Sequence, residues 1–210
     1  MDERNHRTRA SGMNTWRAGC DGSRTSGSEG GPEKPTDRKT TGRSGPTPTP
    51  STAPAKADLA VVIDAWSRRV VGWSIADHMR SDLVVDALEM ARWRRRPQPG
   101  TIVHSDRGSQ YTSWVFGHRL RAAGLLGSMG RVASSVDNGM IESFWSTMQR
   151  DLLDRRTWTT RDDLATAIFE WVEAFYNPVR RHSALDYLSP AEYETRYWTT
   201  LAQTTDQPAA

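Results

Sequence analysis

Two acidic residues, Asp106 and Glu142, have a spacing and a setting that could support chemistry on phosphate esters. Asp106 follows the short apolar run 101–104, and Glu142 lies near the start of a segment whose apolar residues have helical spacing. Two carboxylates that meet at a strand end and a helix start can hold hard divalent cations through oxygen ligands. Such cations activate a hydroxyl nucleophile and stabilise the leaving oxygen in phosphoryl transfer. A site of this kind normally needs a third carboxylate.

Each acid also has a purely structural interpretation. Asp106 could cap the turn that follows it, and an acid in the first turn of a helix, such as Glu142, is favourable for the helix dipole. The local pattern leaves both interpretations open. The two acids can act together only if the fold brings the strand end and the helix start close to each other.

The hydrophobic pattern predicts a mixed α/β domain. Two β-branched runs separated by a turn predict a hairpin, and apolar residues at helical spacing alternate with further short apolar runs. Predicted strands are 59–64, 70–75, 101–104 and 125–129; predicted helices are 81–93, 114–123, 140–153 and one from Thr160 to Pro178, with Ser81 and Thr160 as N-caps and 134–139 as a loop. Strands that alternate with helices in this way are typical of a mixed sheet flanked by helices.

The first 57 residues differ sharply from the rest of the chain. They contain no Val, Ile, Leu, Phe or Tyr, and Gly, Ser, Thr and Pro make up 29 of them. Such a segment cannot bury enough apolar surface to offset its ordering entropy. We therefore expect a disordered tail over 1–57, a catalytic-core-like domain over 58–196 and a flexible C-terminus over 197–210.

Composition excludes several classes of protein. No stretch approaches the roughly 18 consecutive apolar residues of a membrane span, and residues 1–10 lack the apolar region of a secretory signal. The chain has one cysteine, which excludes an internal disulfide. These features predict a soluble, cytoplasmic chain. The net charge of +3 comes from the tail, which has ten basic and six acidic residues, so it is poor support for DNA binding.

The segments that carry Asp106 and Glu142 resemble a known family. The resemblance covers about 59–196 and is carried by LAVVIDAWSRRVVGWSIADHMR, LVVDALEMARWRRRP, HSDRGSQYTS, SMGRVASSVDNGMIESFW and FYNPVRRHSALDYLSPAEYE. These segments are similar to the integrase catalytic core of bacterial insertion-sequence transposases of the insertion-sequence three family, which are related to retroviral integrases. The 35 residues between Asp106 and Glu142 match the spacing that gives these DDE enzymes their name.

The resemblance implies a fold, a reaction and a cofactor. The fold would be ribonuclease H-like, and Asp106 and Glu142 would be the second and third acids of the triad, holding two Mg²⁺ or Mn²⁺ ions. The implied reaction is attack of water or a 3′-hydroxyl on a DNA phosphodiester, which gives strand cleavage and strand transfer. The implied partners are element-end and target DNA, with a homo-oligomer or co-assembly with an intact transposase, near the nucleoid when DNA is bound.

The chain departs from the family pattern where the first acid should stand. That acid belongs to a strand about 13 residues before Leu59, a register that falls near Pro46 in a proline-rich segment unsuited to a central strand. We expect the first strand and the first acid to be missing, and Asp37, Asp58 and Asp64 match no motif for that acid. The abrupt entry into the pattern at Leu59 suggests a shifted reading frame or faulty start for residues 1–57.

Basic residues supply candidate DNA contacts. Arg94 and Arg95 directly follow the predicted helix 81–93 and could contact DNA phosphates, although cations at a helix C-terminus are also favourable for the helix dipole. Arg180, Arg181 and His182 belong to the family-like tail. Gln149 replaces the basic residue that the family usually has seven positions after its last acid, and Arg150 is its basic neighbour, rotated by about 100° on a helix.

Three functions follow from the sequence. The first is a transposase or integrase core that is impaired by its missing acid. The second is a non-catalytic remnant that binds DNA or co-assembles with an intact transposase. The third is an unrelated metal-dependent phosphohydrolase, which leaves the acid spacing and the family-like tail unexplained.

Overall fold

A five-stranded mixed sheet forms the centre of the molecule. The computed structural model describes residues 15–22, 57–105, 108–129 and 135–205. The strands are β1 (Thr15–Gly22), β2 (Asp58–Asp64), β3 (Val70–Ala76), β4 (Ile102–Ser105) and β5 (Leu126–Met129), in the spatial order β3-β2-β1-β4-β5. β1 is antiparallel to β2 and parallel to β4, while β2–β3 is antiparallel and β4–β5 is parallel.

Within the described segments, five helices and three short helical turns surround the sheet. The helices are α1 (Ser81–Arg95), α2 (Trp114–Ala122), α3 (Ser135–Asp151), α4 (Arg161–Glu170) and α5 (Pro190–Thr205). A 3₁₀ turn at Leu153–Arg155 follows α3, a π-helix at Trp171–Tyr176 continues α4, and a second 3₁₀ turn lies at Ser183–Leu185. The predicted mixed α/β architecture is confirmed.

Alternating residues of β2 divide the core into two layers. Ala60 and Val62 pack with α1 and α2 on one face of the sheet. Leu59, Val61 and Ile63 pack on the other face with side chains from α3, α4 and the π-helix. A strand that is buried on both faces must be apolar throughout, which explains its near-continuous β-branched run.

The chain forms a strand where the sequence predicts none. β1 lies between β2 and β4, the central position that we expected to be vacant, and its residues are TWRAGCDG. The prediction of a missing first strand is therefore wrong at this position. The sequence conceals the strand because only Thr15 and Trp16 are typical strand formers, whereas pairing with β2 and β4 supplies its backbone hydrogen bonds.

Helix boundaries differ from the predictions at three places. Ser81 is the first residue of α1 rather than its N-cap, which is Arg80. Helix α3 begins at Ser135, so the predicted loop is helical from that residue on, through Gly139. Helix α5 continues to Thr205, well into the end that was predicted to be flexible. The ring of Tyr197 packs 4.9 Å from Trp66, which gives this polar helix an anchor that its periodicity does not reveal.

Two caps agree with simple helix rules. The Thr160 hydroxyl accepts a hydrogen bond from the N–H of Asp163 at 3.1 Å, as the sequence predicts. Ser189 and Glu192 form a reciprocal capping box before α5, with hydrogen bonds of 2.8 and 3.3 Å. These caps fix the start of both helices that follow α3.

No helix of the described segments is long and apolar enough to cross a membrane.

Candidate active site and DNA-facing surface

Glu142 lies on the solvent side of α3. Its side chain is exposed, while Phe144 and Met148 of the same helix are buried in the part of the core that contains Leu59, Val61 and Ile63. Helix α3 therefore presents Glu142 outward from a firmly packed base. An exposed carboxylate in this position is accessible to a cation or to a nucleic acid.

Asp106 lies outside the described residues. Strand β4 ends at Ser105, one residue before it, and Arg107 is outside the description as well. The predicted meeting of Asp106 and Glu142 therefore stays a prediction. The order of elements is the one that it requires, because β4 is a strand of the same sheet on which α3 packs.

The register of β1 shows to which face of the sheet position 19 belongs. Arg17 pairs with His104 in the parallel β1–β4 ladder, and Gly19 pairs with Val61 in the antiparallel β1–β2 ladder. Val61 packs with Phe144 and Met148, so position 19 belongs to the face of the sheet that α3 covers. The residue at this position is a glycine, which offers no carboxylate.

The described part of the chain does not supply a complete metal site. No group of three or more His, Cys, Asp or Glu side chains that could hold an ion occurs within it. Glu142 is the one predicted ligand that it describes. The described residues therefore contribute only Glu142 to the predicted site.

Asp64 has a structural role. Its Oδ1 accepts hydrogen bonds from the N–H of Trp66 at 2.9 Å and of Ser67 at 3.3 Å, and its Oδ2 lies 3.1 Å from Arg95 Nη2. Burial raises the pKa of this carboxyl, against the lowering effect of the Arg95 charge and the two N–H groups. Asp64 therefore fastens the β2–β3 turn, in agreement with its exclusion from the triad.

Arg94 and Arg95 make their polar contacts within the fold. Arg94 Nη1 lies 2.5 Å from Glu173 Oε1, and Arg95 forms ion pairs with Asp64 and with the buried Glu194. Burial would raise the pKa of Glu194, but the hydrogen bond and charge of Arg95 outweigh it and lower that pKa. These two arginines join α1 to the π-helix and to α5, and we treat them as structural residues.

The three basic residues of the C-terminal segment have different environments. Arg180 Nη2 donates to Thr147 Oγ1 of α3 at 3.0 Å. Arg181 is exposed and lies 2.8 Å from Glu192. Burial, with the nearby charges of Arg180 and Arg68, lowers the pKa of His182 to about 4. His182 is therefore neutral at pH 7 and cannot attract phosphate as a cation.

The low pKa of His182 predicts a loss of stability in mild acid. The unfolded imidazole takes up a proton below its ordinary pKa of 6.5, whereas the folded one does so only near 4. The free energy of unfolding should therefore fall as the pH drops from 6.5 to 4, by about 1 kcal/mol once partial exposure is allowed for. Urea unfolding of wild type and His182→Gln across this range measures the effect. The variant should show a shallower slope, and an unchanged slope would contradict the assignment to His182.

Sequence reasoning missed one surface on α2. Trp114 is 73% exposed and stacks on His118, with ring centroids 5.0 Å apart, and Arg119 and Arg121 are exposed on the same helix. The helix WVFGHRLRA contains no acid. The sequence predicted only a helix here. The signal that could have found the surface is a tryptophan followed within seven residues by three basic side chains and no acid, eight residues after Asp106.

Arg150 lies at the outer end of α3. Its side chain is 66% exposed, and its Nε donates to Asp151 at 3.0 Å. The neighbouring Gln149 is also exposed and donates to Asp154 at 2.5 Å. Glu142 and Gln149 are seven residues apart on the helix, so they share one side of it.

Comparison with known proteins places these features in a family. Two family models described as "Integrase core domain" match residues 38–135 and 124–190. The transposase for insertion sequence element IS904 of Lactococcus lactis subsp. lactis (strain IL1403) is 45% identical over 136 residues, which are 65% of this chain and 54% of that protein. Transposase InsF for insertion sequence IS3A of Escherichia coli (strain K12) is 40% identical over 138 residues, 66% of this chain and 48% of that protein. The chain thus spans about half the length of these relatives.

Solved structures agree on the fold. The catalytic core domain of BIV integrase matches with a TM-score of 0.56 at 13% identity, over 90% of this chain and 99% of that one. A chain of the simian T-cell lymphotropic virus intasome in complex with PP2A regulatory subunit B56 gamma matches with a TM-score of 0.52 at 12% identity, over 81% of this chain and 50% of that one. The ribonuclease H-like fold expected from the sequence is confirmed.

Proposed function

Because the chain belongs to the integrase core domain family of DDE-type insertion-sequence transposases, we propose that it is a transposase-type protein of DNA transposition with impaired strand-cleaving chemistry. The observation that supports the function is the arrangement of its elements. Strand β4 ends one residue before Asp106, and the helix that carries Glu142 packs on the same sheet. The observation that supports the impairment is Gly19 in the central strand.

Asp106 and Glu142 are the proposed catalytic acids and the proposed ligands of Mg²⁺ or Mn²⁺. A divalent cation held there would polarise a DNA phosphate and activate the attacking hydroxyl. Hard cations take six or more oxygen ligands, of which carboxylates supply the charge. With glycine at position 19, two acids carry that task, so we expect the chain to hold the ion weakly.

The proposed partner is DNA, and we propose two separate contact regions for it, α2 and the exposed end of α3, which pack on opposite faces of the sheet. Trp114 offers a ring for an unpaired base, and Arg119 and Arg121 offer charges for phosphates. Arg150 and Arg181 are exposed and complete the proposed set. Arg94, Arg95, Arg180 and His182, which the sequence suggested for the same role, are held in internal contacts or are neutral.

Trp114→Ala is expected to weaken binding to partly single-stranded DNA about tenfold, because stacking of one base on an aromatic ring contributes about 1–3 kcal/mol. The slope of binding against salt concentration should not change, since no charge is lost. Arg119→Ala with Arg121→Ala should instead reduce that slope by about two, one counterion for each phosphate contact. Fluorescence anisotropy of labelled DNA over a salt series measures both quantities.

Trp93→Ala is a matched control for the Trp114 experiment. Trp93 is 69% exposed at the end of α1, beside Arg92. Its loss should leave the DNA affinity within about twofold of wild type. Equal losses for the two tryptophans, or none for Trp114, would contradict the proposed surface.

The alternative function is a non-catalytic remnant that binds DNA or co-assembles with an intact transposase. Gly19 is the observation that favours it. DNA binding without any metal-dependent cleavage supports the remnant, whereas cleavage that depends on Glu142 supports the enzyme. Oligomeric state and co-assembly stay predictions.

A further inference from the structure

The segment that follows the π-helix, which begins at Asn177, is hydrogen-bonded to the edge strand β3. Asn177 is buried, its Oδ1 accepts a hydrogen bond from the N–H of Val70 at 2.9 Å, and its Nδ2 donates to the C=O of Val70 at 3.1 Å. Because β3 is an edge strand, these two bonds replace those of a neighbouring strand. The Asn177 C=O also accepts from the N–H of Ala191, which ties the segment to the start of α5.

The last residue of the π-helix and the segment after it contact the buried side of α3. The ring of Tyr176 lies 5.2 Å from the ring of Phe144, and both are buried. Arg180 Nη2 donates to the hydroxyl of the buried Thr147 at 3.0 Å, and that hydroxyl donates to the Ser143 C=O at 2.8 Å. A ring contact and a charged hydrogen bond therefore hold the helix within five residues of Glu142.

The placement of Arg180 differs from that of a surface cation. Its guanidinium carbon lies 6.0 Å from the centre of the Tyr176 ring, and its Nε is buried with no hydrogen-bond partner within the described part of the chain. Arg181, the next residue, is instead 58% exposed. A hydrogen bond from a charged group is stronger than one between neutral groups, so the contact between Arg180 and Thr147 has weight in fixing α3.

We propose that Arg180 is a positioning residue, which acts through Thr147 to fix the rotation and position of α3 and thereby of the Glu142 carboxylate. The proposal rests on the proposed function in one respect, the role of Glu142 as a catalytic acid. A helix rises 1.5 Å per residue and moves as a rigid body over one or two turns. A shift at Thr147 is therefore transmitted to Glu142, and Arg180 contributes to the site without contacting DNA.

Hydrogen exchange of the full-length chain tests the proposal. Arg180→Ala and Thr147→Val should each speed amide exchange in α3 about tenfold, because each removes the same hydrogen bond. Exchange in α1, which the segment does not hold through Arg180, should stay within about twofold of wild type. Thr147→Ser keeps the hydroxyl and should restore slow exchange, a rescue that the loss of packing alone would not give.

DNA binding of the same variants separates positioning from phosphate contact. Arg180→Ala should leave the affinity and the salt slope for a labelled duplex unchanged. A salt slope reduced by about 0.9 with unchanged exchange in α3 would make Arg180 a phosphate contact and overturn the proposal. A uniform rise of exchange across α1 and α3 would also overturn it, since the effect would then be a general loss of stability.

The exchange result does not depend on the proposed function. If the wild-type chain binds no DNA, the proposed function fails, while the exchange in α3 still decides whether Arg180 fixes the helix. If the chain binds DNA but Arg180→Ala does not change amide exchange in α3, the positioning role is wrong and the proposed function stands.

Discussion

Replacement of Gly72 by alanine is expected to destabilise the protein by about 3 kcal/mol or more. A Cβ atom at this position of β3 would lie 2.7 Å from the backbone N of Ala91 and 2.9 Å from its Cβ, and closer still to the carbonyl oxygen of Ala87. Atoms of a helix backbone cannot move aside as the end of a flexible side chain can. The substitution must therefore push α1 away from the sheet and disrupt the core between them, which contains Ala60 and Val62.

Urea unfolding measures this effect, with Gly139→Ala as the control. Gly139 lies exposed in α3, and a Cβ there would meet no atom within 4 Å. Alanine favours a helix over glycine by about 0.5–1 kcal/mol, so the control should be as stable as wild type or more so. A Gly72→Ala variant with the wild-type unfolding midpoint would show that β3 and α1 are not in close contact.

Introduction of an acid at Gly19 is expected to create or strengthen metal-dependent DNA cleavage, by about a hundredfold or more over the wild-type chain. Arg17 pairs with His104, the residue two positions before the proposed ligand Asp106 in the sequence. Gly19 also pairs with Val61, on the face that α3 covers. A carboxylate at position 19 would therefore supply a third acid beside the two proposed ones, Asp106 and Glu142, and would add to the oxygen ligands that hard cations need.

Cys20→Asp is the matched control for Gly19→Asp. Successive residues of a strand face opposite sides of the sheet, so an acid at position 20 belongs to the side covered by α1. Both variants add one negative charge to β1, but Cys20→Asp adds it on the face of the sheet opposite to α3. Cys20→Asp should therefore cleave no DNA, and equal gains from both variants would mean that the register of β1 is not responsible.

The sequence predicts those elements whose burial is regular. The β2–β3 hairpin has apolar runs rich in β-branched residues, and the helix after Thr160 has a clear cap and an apolar face, so both lie where they were expected. The fold class follows from the order of such elements. The family follows from the motifs around Asp106, Glu142 and the C-terminal segment.

Other features depend on contacts between distant residues, which a linear pattern does not contain. Strand β1 is stabilised by its two neighbours and has little strand propensity of its own. The sequence alone favours a solvated position for Arg95 at a helix end. The structure instead pairs it with Glu194, 99 positions later in the chain. Arg180 reads as one of a basic cluster until Thr147 is seen to accept its hydrogen bond.

Nicking of supercoiled plasmid DNA in the presence of Mn²⁺ is the most direct test of the proposal that the chain lacks the first acid needed for DNA cleavage. We expect no nicking above background by wild type, clear nicking by Gly19→Asp, and none by Gly19→Asp combined with Glu142→Gln. Efficient nicking by wild type that Glu142→Gln abolishes would contradict it. The absence of nicking by Gly19→Asp would equally contradict the proposal, provided that this variant unfolds at the wild-type urea midpoint.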